Sequence, residues 1–225
     1  MKILFLGTMG TEGLNTSCVI DDSIAFDMGG GIFVRLRAHN LIPRYVILSH
    51  YHPDHFADVA ELVLYNSFKA CGPLTIVGNG VKKRVKTLCK VQDTFISKDT
   101  TLENIKDQIK NFGEFVLTAR TLPHGDIVNN AYIIEKGGKK LGYTGDVCKS
   151  QELLNIIPLC DKWIIECTYE KSDIVSEWHL SKEQVEELAA LYPGITFYAV
   201  HRRDSLPKSK CKNIIFPKDG EVIEI

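Results

Sequence analysis

Along the chain, short apolar runs that end in glycine or in polar residues alternate with stretches of helical period. Lys2–Gly7 is apolar and closes on a glycine, the mark of a first strand. Ser17–Asp21 and Ile24–Asp27 are β-prone runs parted by Asp22 and Ser23, which predicts a hairpin. Pro43 precedes Tyr45–Ser49, whose sequence YVILS is nearly all apolar, as expected of a strand buried on both faces. The period then changes. Phe56, Val59, Ala60, Val63 and Leu64 recur at helical spacing and predict a helix from about His55 to Asn66. Leu74–Val77 reads as a strand and Gly80–Lys90 as a basic helix.

Glu114–Thr121 reads as a strand running into Pro123-His124-Gly125. Asn130–Glu135 and Lys140–Thr144 flank Gly137-Gly138, a hairpin signal, and the second arm runs into Gly145-Asp146. Trp163–Cys167 is a further strand. Ser181, with Gln184 three residues on, opens a helix to about Leu191 that Pro193-Gly194 stop. Thr196–Val200 ends at His201, and the tail IIFPKDGEVIEI predicts two short strands around Asp219-Gly220. No repeat, low-complexity tract or linker interrupts the pattern, so one layered α/β domain is expected over residues 1–225.

Composition narrows the function classes. The 225 residues carry a net charge of −1, so the overall electrostatics favour neither nucleic acid nor an anionic membrane. No apolar run approaches the roughly 20 residues of a membrane-spanning helix. The opening MKILFLGTMGTEG superficially suggests a signal peptide, but its apolar run is short and breaks into glycines; a first strand is the expectation. The seven cysteines form no C-x-x-C pair and are expected to be reduced thiols in a cytoplasmic protein.

The candidate chemistry lies in SHYHPDHFAD, which places His50, His52, Asp54 and His55 directly after the buried strand. Imidazole nitrogens and carboxylate oxygens suit zinc and its neighbours manganese and iron. In so short a loop His50 and His52 can face one way and Asp54 and His55 another, which suits two adjacent metals. His124, Asp146 and His201 each follow a predicted strand, where loops bring distant residues together. His39 lies in a polar stretch and reads as a surface residue. The basic run of Lys82, Lys83, Arg84 and Lys86 could touch phosphate or form a solvated helix face.

His50-Tyr51-His52-Pro53-Asp54-His55 resembles the H-x-H-x-D-H signature of the metallo-β-lactamase superfamily. His124, Asp146 in YTGD and His201 match its later ligands, and Asp27 in AFDMG looks like its usual opening. The resemblance covers nearly the whole chain. It implies a four-layer αββα sandwich with the site at one edge between the sheets. It also implies that His50, His52 and His124 hold one divalent ion, that Asp54, His55 and His201 hold the other, and that Asp146 bridges them. Zn2+ is the expected metal, with Mn2+ or Fe as alternatives.

Two adjacent cations give a hydroxide nucleophile near neutral pH and serve acyl and phosphoryl transfer alike. Trp178-His179-Leu180-Ser181 and the glycine-rich start GTMGTEGLNTSCVI resemble the ribonuclease Z and phosphoribosyl cyclic phosphodiesterase branch, which implies His179 as a proton donor. Alternatively His179 joins the helix cap. Glu166 matches an acid near the site in that branch or is an ordinary strand-end acid. Asp54 and His179 are the catalytic candidates. Ribonuclease Z carries a long tRNA-gripping arm between the equivalents of His124 and Asp146; only 21 residues separate them here, which disfavours transfer RNA and favours a small phosphodiester. The alternatives are a carboxylic ester, thioester or lactone hydrolase on the same fold, and a metal-bound binding module without turnover.

Overall fold

The computed structural model describes residues 1–11, 13–69, 71–171, 177–203 and 208–225. Two seven-stranded sheets face each other. The first is built from β1 (Lys2–Gly7), β2 (Ser17–Ile20), β3 (Ile24–Phe26), β4 (Tyr45–Ile47), β5 (Leu74–Gly78), β6 (Thr100–Asn104) and β14 (Val222–Glu224), in the order β14-β1-β2-β3-β4-β5-β6. The second holds β7 (Ile109–Asn111), β8 (Val116–His124), β9 (Ile127–Lys136), β10 (Lys139–Tyr143), β11 (Lys162–Glu166), β12 (Thr196–Val200) and β13 (Ile214–Ile215), in the order β13-β12-β11-β10-β9-β8-β7.

The alternation of side chains along each strand builds three cores from the two sheets. Ile3 and Phe5 of β1, and Tyr45 and Ile47 of β4, point between the sheets, where they meet Tyr132, Tyr143, Ile164 and Tyr198 of the second sheet. Leu4, Leu6, Val46 and Leu48 point outward, onto α1 (Ile32–Ala38), α3 (Val59–Lys69) and α4 (Val81–Val91). On the second sheet Trp163, Ile165, Phe197 and Ala199 face α5 (Gln151–Ile156) and α6 (Lys182–Leu191). Helices therefore cover both outer faces, and the layering is the expected αββα sandwich. β4 is buried on both faces and pairs in parallel with β3 and β5, which explains its unbroken apolar run.

The helix expected from His55 to Asn66 is two: α2 (Pro53–Phe56) and α3, parted at Ala57-Asp58. The break has a physical reason. The Asp58 carboxylate accepts the backbone N–H of Phe33 at 2.8 Å, so Asp58 serves the start of α1. That start has only Gly31 at its own cap position and no local side-chain bond. Because this cap comes from a distant residue, local sequence does not announce α1. At α6 the capping box of Ser181 and Gln184 forms as expected. Gly137 and Gly138 both have positive φ and close the β9–β10 hairpin.

The two sheets are also joined by hydrogen bonds at one end. Tyr132 Oη donates to Leu48 O at 2.8 Å, and Asn130 N donates to Ser49 O at 3.0 Å. The strand ends that carry Asp27, His50, His124, Asp146, Glu166 and His201 gather there. Among the described residues, no helix is long and apolar enough to cross a membrane.

Candidate metal centre

His50, His52, His124 and Asp146 form one group whose ligand-type atoms lie within 4.8 Å of one another, and Asp54, His55, Asp146 and His201 form a second. Asp146 belongs to both. In the first group, His52 Nδ1 lies 3.0 Å from His50 Nε2 and 3.4 Å from His124 Nε2, and Asp146 Oδ2 lies 3.8 Å from the Nε2 of His50 and of His124. In the second, His55 Nε2 is 3.2 Å from Asp146 Oδ1. His201 Nε2 is 3.3 Å from Asp54 Oδ2 and 3.4 Å from Asp146 Oδ2. The structure thus brings together all seven residues that the sequence pointed to. Six are more than nine-tenths buried, and His52 is half-buried.

The opposite edges of the rings fix their tautomers. Ser49 Oγ donates to Asp27 Oδ2 at 2.7 Å, so it accepts from His50 Nδ1 at 3.0 Å. His55 Nδ1 donates to Asp27 Oδ2 at 2.7 Å, and His124 Nδ1 to the carbonyl of Trp178 at 2.5 Å. His201 Nδ1 meets Thr168 Oγ1 at 2.9 Å. With Nδ1 committed outward in each ring, Nε2 faces inward and can present a lone pair to a cation. Four lone pairs and two carboxylates then converge with few donors among them. Asp146 Oδ1, Asp146 Oδ2 and His55 Nε2 are sealed from solvent without a hydrogen-bond partner among the described residues. A buried charge in this state is costly unless a cation answers it. The donor set, nitrogen and oxygen in two groups sharing one carboxylate, fits two divalent ions.

Electrostatics point the same way. Burial, with neighbouring imidazoles, pushes His50 well below its ordinary value and keeps it neutral. Burial alone would lower His55 too, but Asp146 and Asp27 outweigh it and hold His55 well above its usual range. The buried acids therefore demand positive charge at this point, whether a proton or a metal provides it. Burial would raise Asp146, yet the imidazoles of His201 and His55 hold it well below the carboxylate range.

Glu166, 1% exposed, is a second hub. Its Oε1 accepts from Val147 N at 2.5 Å and His179 Nδ1 at 3.1 Å; its Oε2 accepts from Thr168 Oγ1 at 2.7 Å and Leu180 N at 3.1 Å. Burial works against protonation of His179, but Glu166, helped by Asp146, raises it above the ordinary imidazole value. The His179 ring stacks on His201 at 5.2 Å, which sets it against the second group. A cavity of about 330 Å³ opens over this face, lined by Asp54, Asp146, His179 and His201 together with Thr11, Tyr169 and Arg203.

Sequence reasoning did not single out Ser49, Tyr143, Thr168 or the Trp178 carbonyl, and it took Asp27 only as a family-like opening. Asp27 Oδ2 alone accepts from Ser49, His55 and Tyr143, the last at 2.6 Å. The available signal was position: each of these residues adjoins a ligand or a strand end. His39 is exposed, as expected. Lys82, Lys83, Arg84 and Lys86 form an exposed helix face, with the Arg84 guanidinium 5.4 Å over the Tyr51 ring.

The family model described as Beta-lactamase superfamily domain matches residues 31–202. No curated protein sequence matches the chain. Among solved structures, human tRNase Z, short form, is similar with a TM-score of 0.77 at 18% identity, over 100% of this chain and 99% of that one. The metallo-beta-lactamase fold protein YhfI from Bacillus subtilis gives 0.79 at 20% identity, over 99% and 98%. Zn(2+)-bound PqqB from Methylobacterium extorquens gives 0.80 at 15% identity, over 100% of both chains. At these identities the likeness is one of fold.

Proposed function

The chain belongs to the beta-lactamase superfamily, and from that premise we propose that it is a metal-dependent hydrolase that opens a small phosphodiester in the cytoplasm. The observation that carries the reading is the convergence of His50, His52, His124, Asp54, His55 and His201 on the buried carboxylate of Asp146, beside a His179 oriented by Glu166. Two divalent ions held there, Zn2+ by preference and Mn2+ or Fe as alternatives, would act as Lewis acids and supply a water of lowered pKa.

The protein's own groups account for the remainder. Ser49, Asp27, Trp178 and Thr168 lock the imidazoles with Nε2 inward, so no reorientation is needed when charge develops on the substrate. Asp54 lines the cavity, where its carboxylate would orient an attacking water. Glu166 accepts the Nδ1–H hydrogen bond of His179, which leaves Nε2–H as the group that would protonate the leaving alkoxide. The tRNase Z activity of the human structural neighbour supports phosphoester chemistry. The cavity size supports a small substrate over transfer RNA, and the span between His124 and Asp146 is taken up by the β9–β10 hairpin. The seven unpaired thiols agree with a reducing compartment.

The test is hydrolysis of bis(p-nitrophenyl) phosphate with added Mn2+ or Zn2+, with His52→Ala as control. Metal-dependent turnover that the variant lacks supports the proposal. Absence of turnover with two metals bound per chain would overturn the phosphodiester reading and turn the search to esters, thioesters and lactones. Absence of turnover on those as well would leave a metal-bound binding module.

A further inference from the structure

His201 sits in the left-handed backbone region, with φ +58°, where a residue with a side chain persists only if its surroundings over-determine it. The next residue provides that constraint. Arg202 is 4% exposed. Its backbone N–H donates to Thr8 O at 3.2 Å, and its carbonyl accepts from Gly10 N at 2.9 Å. Its guanidinium Nη2 donates to Thr8 Oγ1 at 2.6 Å and to Pro217 O at 3.0 Å. Thr8 Oγ1 in turn donates to Asp219 Oδ1 at 2.9 Å, and Gly220 N donates to Phe5 O at 2.7 Å. Arg202 is thus clamped between the loop after β1 and the turn before β14. Gly10 closes the other side: a Cβ there would stand 3.2 Å from Cε1 of the His201 ring.

Stability does not account for a cation at this position. Nε and Nη1 of Arg202 are buried without a partner among the described residues. A buried charge with three of its five N–H donors unsatisfied is often no better than an apolar side chain of equal size. What the guanidinium does supply is direction, because it ties the His201 backbone to two segments far apart in sequence.

We infer that Arg202 is a positioning residue for His201, holding its imidazole so that Nε2 faces Asp54 and Asp146. The inference rests on the reading of the cage as a two-cation centre. Arg202 has no bond to His50, His52 or His124, so its effect falls on the cation of the second group and leaves the first intact.

Zn2+ titration of the metal-stripped protein against a competing chelator tests this, with Arg202→Met, Arg202→Lys and Thr8→Val beside the parent. Methionine keeps an unbranched apolar stem and removes the guanidinium with both of its hydrogen bonds. The expected result is two ions per chain in the parent. In Arg202→Met, one ion binds with parental affinity and the second about 10–100-fold more weakly. The melting temperature of the stripped Arg202→Met protein should be no lower than that of the parent, which separates positioning from a structural role. Thr8→Val should shift the second ion in the same direction, and it carries the test should Arg202→Met fail to fold. Arg202→Lys, which keeps a cationic donor group, should recover part of the affinity. Parental binding of both ions in Arg202→Met and Thr8→Val, or equal weakening of both, overturns the inference. A parent that binds no Zn2+ overturns the metal-centre reading itself, so the two failures are distinct.

Discussion

The carboxylate of Glu166 accepts a hydrogen bond from His179 Nδ1 at 3.1 Å, and the same carboxylate reaches both halves of the cage. Through Val147 N it braces the residue after Asp146, and through Thr168 Oγ1 it braces His201. The acid–imidazole pair and the ligand cage are therefore one hydrogen-bonded body. Disturbance at Glu166 should be felt in proton transfer first and in metal binding second.

Loss of the imidazole in His179→Ala is expected to lower kcat on the phosphodiester probe by about 10²–10⁴-fold, the usual scale of general-acid catalysis, with metal content unchanged. The pH profile gives a sharper reading. His179 must be protonated to act as an acid, and Glu166 raises its pKa, so activity should fall as pH rises through that value. Glu166→Gln removes the charge, lowers the imidazole pKa and should move the alkaline limb of kcat to lower pH. A limb that stays in place in Glu166→Gln, with a wild-type rate in His179→Ala, would remove His179 from the reaction.

Asp146 carries much of the electrostatic cost when metal is stripped from the cage. Metal-stripped protein should melt below metal-loaded protein; an ion at 100 times its Kd contributes about 2.7 kcal/mol, or roughly 5–11 °C for a chain of this length. Asp146→Ala should abolish turnover and metal binding. It should also melt below the stripped parent, since it leaves His55 and His201 without the carboxylate that faces them at 3.2 and 3.4 Å. Calorimetry of the four states checks this, and an Asp146→Ala that melts above the stripped parent would show that the imidazoles do not compensate the buried carboxylate.

The seven residues of the cage were legible in the sequence because four of them crowd one loop after an uninterrupted apolar strand, and the others follow strands of their own. What orients them was not. Asp27 serves His50 through Ser49 and His55 directly, but only because its backbone turns into the left-handed region at φ +56° and Tyr143 arrives from the other sheet. Such contacts depend on the packing of two sheets and leave no local periodicity. The same reasoning covers the missed elements. Thr100–Asn104 and Ile109–Asn111 are edge strands without fully buried positions, so neither shows an apolar run. Helix α1 borrows its cap from Asp58. The family-like opening carried Asp27 into view without its role.

Asp27→Asn is expected to weaken both ions, in contrast to the one-ion effect of Arg202→Met. The carboxylate charge supports His55 of the second group directly and His50 of the first through the Ser49 hydroxyl. Loss of about 10–100-fold in affinity at each position is the usual scale for partners that orient metal-binding histidines. Zn2+ titration reads both values. Weakening confined to the ion held by His55 would mean that Ser49 keeps His50 aligned without Asp27.

Gly125 offers a test of the segment that carries His179. Its φ is +53°, and an added Cβ would lie 2.4 Å from the indole of Trp178. Gly125 N donates to Glu177 O at 2.8 Å, and the Trp178 carbonyl holds His124. Gly125→Ala must therefore displace either its own backbone or the Trp178 ring. A cost of more than about 1 kcal/mol is expected from the left-handed φ alone. The two tryptophans separate the local from the global effect. Trp163 is fully buried in the core beneath α5 and α6, whereas Trp178 is 38% exposed beside His52 and His124. A red-shifted emission that quenching by acrylamide assigns to Trp178, together with a lower kcat and weaker binding at the His50, His52 and His124 group, is the expected outcome. Unchanged emission and unchanged kcat would show that residues 177–179 keep their place without the close contact at Gly125.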